Sequence, residues 1–179
     1  MLRALAALAL ASATAATASA TATTDTLVSS APWWEKVTIT LDGDGTPQAC
    51  QFQSSLSPAS AENCDVDSSQ AAIASKSRSS EEYTKITFER RFSPGEQPKT
   101  GVEPGETFLG GQMMALAIDP SGSVKDCKVV ATSGSMTPEY GCEDASAEKF
   151  QASTGHASKA PERQGYMTIL VYGHHEHMV

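Results

Sequence analysis

The side chains best suited to chemistry lie near the end of the chain. Gly173-His174-His175-Glu176-His177 sets three imidazoles and a carboxylate in consecutive positions. Such a set can hold zinc, copper or nickel when the side chains converge. On an extended chain, alternate residues point to opposite sides, so His175 turns away from His174 and Glu176. The spacing favours a solvated tail over a built metal site. Asp42-Gly43-Asp44-Gly45 is a fragment of a calcium loop that lacks the other ligand positions and the bidentate glutamate, and its composition is that of a hairpin turn. Ser133 and Ser135 flank Gly134, but no G-x-S-x-G is present. A serine nucleophile also needs a histidine held by an acid beside it. All four histidines fall in the last quarter of the chain, with His156 between Gly155 and Ala157. The expectation is a protein with no catalytic residues, no metal site and no cofactor.

The cysteines carry more information. Asp42, Gly45 and Cys50 recur 77 residues later as Asp119, Gly122 and Cys127, and each copy reaches a second cysteine, Cys64 or Cys142. Four cysteines allow three pairings, and the repeat selects Cys50–Cys64 with Cys127–Cys142. Loops of this length stabilise by about 3 kcal/mol each on the chain-entropy account. Neither copy contains C-x-x-C, which argues against thiol exchange chemistry.

Disulfides imply export, and the first residues agree. Met1-Leu2-Arg3, the Ala/Leu run from Ala4 to Ala11 and the small residues through Ala22 have the layout of a secretory signal, assigned to 1–20. The apolar run is shorter than the ~20 residues a bilayer crossing needs, so the cleaved protein is expected to be periplasmic or secreted and not membrane-spanning. A formal charge of -8 with no basic cluster excludes nucleic acid as the expected partner.

Residues 21–32, rich in Thr, Ser and Ala, are expected to be a flexible N-terminus. Trp33-Trp34 could stack on a sugar or a peptide aromatic, although burial of one ring over the first sheet is favoured. Val37, Ile39 and Leu41 alternate with polar residues as in a half-buried strand, and Gln48–Gln53 is the returning strand. CDVDSSQAAIAS, from Cys64, suits a short helix with acids at its positive end. Tyr83–Phe92 reads as a third strand, with Arg90-Arg91 a solvated edge. Pro and Gly mark 93–107 as a linker. The order then repeats: strand Phe108–Asp119, turn, strand Ser123–Thr132, helix Glu143–Gln151 and closing strand Tyr166–Tyr172. Tyr83-Thr-Lys-Ile86 can be laid on Tyr166-Met-Thr-Ile169. The expected fold class is α+β, in two tandem units at 33–92 and 108–173. Each is a three-stranded antiparallel sheet with one helix (strand-strand-helix-strand), followed by a His-rich tail at 174–179.

The stretch Met113–Cys142, with Ile118-Asp119-Pro-Ser-Gly122, Val124, Cys127, Val129-Val130 and Ser133-Gly134, resembles the C-terminal domain of the TonB family. The likeness extends over 108–173 and more weakly over 35–92. It implies a non-catalytic module that recruits an extended partner segment by strand addition to a sheet edge. The cysteine pair looks like a variant joining strand to helix. The family's membrane-spanning helix and long Pro-rich spacer are lacking, so coupling to an inner-membrane motor is not expected. The expected partner is an unidentified envelope protein. The expected binding edge is the closing strand, through Tyr166, Thr168, Ile169, Leu170 and Tyr172. Two alternatives stand beside it: metal binding by His174, His175 and His177, and a structural envelope protein with no free edge.

Overall fold

Alternating apolar and polar residues produce seven strands and one short helix in a computed structural model that describes residues 27–56, 62–65, 83–99, 101–152 and 161–175. The elements are β1 (Trp33–Leu41), β2 (Pro47–Ser54), β3 (Glu62–Asn63), β4 (Lys85–Pro94), β5 (Glu106–Ile118), β6 (Val124–Gly134), α1 (Cys142–Ala147) and β7 (Arg163–His174). All the strands join one antiparallel sheet in the order β3-β2-β1-β4-β7-β5-β6.

This arrangement corrects the expected fold class. The chain does not form two tandem three-stranded units; it forms a single seven-stranded sheet with one short described helix. The third strands of the two expected units, β4 and β7, pair along Lys85↔His174 through Pro94↔Gly165, and this pairing fuses the halves. The first expected helix lies outside the described residues beyond Asp65, as do the signal segment and Glu176 to Val179. The second helix is shorter than expected. It ends at Ala147, and Lys149 and Phe150 instead form isolated bridges to Ser123 and Val28.

Period-two alternation divides the sheet into two faces. The inner face carries Trp33, Phe92, Met114, Leu116, Ile118, Met167 and Ile169, packed against Ala145 of α1 and Phe150. Ile39, Leu41, Ile86, Leu109 and Val171 extend this core toward the other end of the strands. Burying each large side chain contributes about 1.5–3 kcal/mol. Phe92 is the hinge of the packing, with ring centroids 6.1 Å from Trp33 and 4.7 Å from Phe150. Trp33 is a core residue whose indole N–H donates to the Ser29 carbonyl at 3.1 Å.

One ion network ties the cover to the sheet. The Arg90 guanidinium donates to Glu35 through Nε (3.1 Å) and Nη2 (2.6 Å), and through Nη1 to Glu148 and to the Tyr140 hydroxyl. It also lies 5.0 Å from the Trp33 ring centroid and 5.4 Å from that of Tyr140. Burial alone would lower the Arg90 pKa, but the bonded carboxylates outweigh it and hold the group protonated, above its ordinary range. Burial raises the Tyr140 hydroxyl in turn. The expected solvated edge at Arg90-Arg91 is therefore corrected: both lie on an interior strand, and Arg91 pairs with Glu89.

Candidate functional site

Both Asp-x-x-Gly repeats are turns of the same construction. Asp42 N–H donates to the Thr46 carbonyl (3.0 Å), Gly45 N–H to the Asp42 carbonyl (2.8 Å) and Thr46 N–H to Asp42 Oδ1 (2.7 Å). Asp119 N–H donates to the Ser123 carbonyl (2.9 Å), Gly122 N–H to the Asp119 carbonyl (2.9 Å) and Ser123 N–H to Asp119 Oδ1 (2.9 Å). Gly45 and Gly122 sit at φ +69° and +90°, a region that costs glycine little. The carboxylates are occupied by backbone donors, as turn chemistry requires. The Ser121 hydroxyl first, then the Ser123 N–H, holds the Asp119 carboxyl well below its usual range.

Each turn is followed by a staple. Cys50 of β2 is bonded to Cys64 and Cys127 of β6 to Cys142 at the start of α1, the pairing the repeat selects. No described cysteine is free.

The other candidates disperse. His174 lies on the outer face, where Nε2 is 3.2 Å from the Thr87 hydroxyl and 3.5 Å from Glu106. The His175 ring lies tilted against Tyr83, with centroids 4.4 Å apart. Glu176, His177 and His156 lie outside the described residues. The Ser135 hydroxyl donates to the Leu109 carbonyl, and its neighbour Ser133 lines a shallow depression.

The expected binding strand is not an edge. β7 lies between β4 and β5 and is paired on both sides. Its Tyr166, Thr168, Leu170 and Tyr172 share the outer face, and Ile169 lies on the inner face. A backbone already bonded on both sides cannot accept a further strand. The sequence carried a signal for this: Met167–Tyr172 is an almost unbroken apolar run, as suits a strand buried on both faces.

The sheet ends elsewhere. On one side β2 begins with Pro47, and β3 covers its middle at Gln51 and Phe52, beside the Cys50–Cys64 staple. On the other side β6 pairs with β5 along its inner side, and no described strand pairs along its outer side. Lys149 reaches only Ser123, ahead of the strand. From Lys128 to Ser135 every residue is exposed, and Val129 and Val130 retain 44% of their accessible surface.

Behind this edge the outer face is polar and closely packed. Glu89, only 2% exposed, receives Lys36 (3.6 Å) and Arg91. The Thr38 and Thr87 hydroxyls are 3.1 Å apart. The Tyr172 hydroxyl is pushed up to about 12, first by burial and then by Glu89. Between β7, β5 and β6 a depression of about 70 Å³ is lined by Phe108, Gly111, Met113, Ala131, Ser133, Thr168 and Leu170, among others.

Comparison with protein-family models, curated proteins and solved structures finds no match.

Proposed function

We propose that this protein is a non-catalytic binding module that captures an extended segment of an envelope protein by adding it to the outer side of β6. The observation that carries this reading is the eleven-residue strand at one end of the sheet, with exposed Val129 and Val130 and no described strand along its outer side. A row of unpaired backbone donors and acceptors is a template for a further strand, and alternate side chains then select it. The resemblance of Met113–Cys142 to the TonB C-terminal domain implies the same mode of recognition and includes the whole of this strand. Two disulfides, and the lack of any membrane-crossing helix among the described residues, are compatible with an extracellular or periplasmic location. The signal-like layout of residues 1–20 supports export.

The test is a cross-linked pull-down from an envelope fraction with the full chain and with Thr132→Pro and Ser133→Pro made singly. Neighbouring residues turn their N–H groups to opposite sides of a strand, so one of these prolines removes an outward donor. That variant should keep its fold by circular dichroism and lose the captured partner. Capture unchanged in both variants overturns the reading.

A further inference from the structure

β6 interrupts its own alternation halfway along. Val129 stands opposite Met114 on the inner face and Ala131 opposite Met113 on the outer face, so Val130 is an extra residue with no counterpart on β5. Before this bulge Asp126 and Lys128 lie on the outer face, opposite Ala117 and Ala115, and Cys127 on the inner face, opposite Leu116. Beyond it Ser133 continues the outer face and Thr132, opposite Gln112, the inner one. The two valines are left side by side, each with 44% of its surface accessible. A regular strand laid along this edge has to set one residue against both of them, which disrupts the ladder at its middle.

We infer that the outer side of β6 pairs with β6 of a second copy of this chain, about a two-fold axis between Val129 and Val130. A second copy run antiparallel carries the same interruption at the same level. Lys128 then faces Ala131 of the second copy, Asp126 faces Ser133, Cys127 faces Thr132 and Val129 faces Val130. Each pair outside the bulge lies on one face of the joined sheet, as antiparallel pairing requires. Four valines meet at the axis, and no charged side chain of β6 stands opposite another. The contact is self-complementary, the form that closes a dimer. An eleven-residue strand offers fewer residues than the roughly 20–30 a side of a standard interface, so the dimer is reversible. The inference rests on the same open side of β6 as the capture reading and adds its regulation: the second copy covers the strand until a partner segment displaces it.

The test uses the purified full chain, with no partner present. Sedimentation equilibrium should show the mass rising with concentration from one chain toward two. Val130→Lys, at an exposed position, should keep the fold by circular dichroism and raise the dimer dissociation constant about ten-fold or more, because it places two charges where apolar side chains meet. The register is read by cross-linking. Directly opposed residues have Cα atoms about 4.5–5.5 Å apart, within reach of a disulfide. Lys128→Cys mixed with Ala131→Cys should therefore cross-link under mild oxidation. Neither variant should cross-link alone, since like positions then stand three residues apart along the strand, roughly 10 Å. A chain that stays monomeric up to its solubility limit overturns the dimer, as does a dimer unaffected by Val130→Lys or cross-linking of either variant alone in place of the mixture. Capture of an envelope segment is read separately by the pull-down. A monomer that still loses its captured partner in the outward proline variant leaves capture standing and removes only the second copy.

Discussion

Phe88 of β4 stands opposite Val171 of β7, and these two residues are 83 positions apart, the same interval that separates Tyr83 from Tyr166. Around them Ile86 faces Gly173 and Arg90 faces Ile169, so pairs on either side exchange under a half turn. The strand order agrees: β2-β1-β4 on one side of the seam is matched by β6-β5-β7 on the other. The β4–β7 seam has the self-complementary form of a two-fold dimer contact, placed inside one chain.

Cutting the backbone between Gly95 and Gly105 should therefore leave the two pieces together. An inserted protease site there, once cleaved, is expected to give a native complex that elutes as the uncut chain and separates only in denaturant. The ten-residue β4 ladder and the shared core around Phe92 hold it. Separation under native conditions would show that the connection, and not the seam, joins the halves.

Arg90→Met should destabilise the protein by about 3 kcal/mol, because it leaves Glu35 and Glu148 half-buried without their shared cation. The triple change Arg90→Met, Glu35→Gln, Glu148→Gln should recover much of that loss. Urea unfolding monitored by tryptophan fluorescence reads both.

Asp119 gives a pH signature. Its carboxyl is held below the ordinary carboxylate range by Ser121 and Ser123, so the folded state binds this proton less readily than the unfolded state. The stabilisation is complete above the unfolded value near 4 and disappears as pH falls through the lower native value. Proton NMR titration should find Asp119 ionised below the usual range, and Asp119→Asn should flatten the acid limb of the stability curve.

Thiol titration of the denatured, unreduced protein should detect no free cysteine, and four after reduction. Replacing Cys127 and Cys142 together by alanine should cost about 3 kcal/mol and release the start of α1 from β6, which hydrogen exchange would locate.

Gly122→Ala should cost about 1–3 kcal/mol, because a Cβ at φ +90° is strained and would collide with the Phe150 carbonyl. Gly43→Ala, where a Cβ meets no atom within 4 Å, is the control and should cost far less.

The sequence made most of the local structure legible. Alternation at Val37, Ile39 and Leu41 located β1, and the Asp-Gly pattern located both hairpins, because turns and strand periodicity are written in neighbouring residues. The joining of the halves was not legible in the same way. Pairing between β4 and β7 joins segments some 80 residues apart, and a strand's pattern reports how many of its faces are buried, not which strand lies beside it. The apolar run at Met167–Tyr172 bore the mark of a strand buried on both faces, yet the expectation made that strand the edge. Thr168 was expected on an open strand and lies instead on an interior one, its hydroxyl buried between β4 and β5.

The two ends of the described sheet are unequal, since β3 and Pro47 shelter β2 while no described strand pairs along the outer side of β6. Edge-to-edge growth needs two adhesive ends on every subunit, and the described sheet offers one. If two copies met at their open strands, the product would present a blunted margin on either side, and addition would stop there. The fold can offer a long exposed strand to a partner without seeding a fibre of itself.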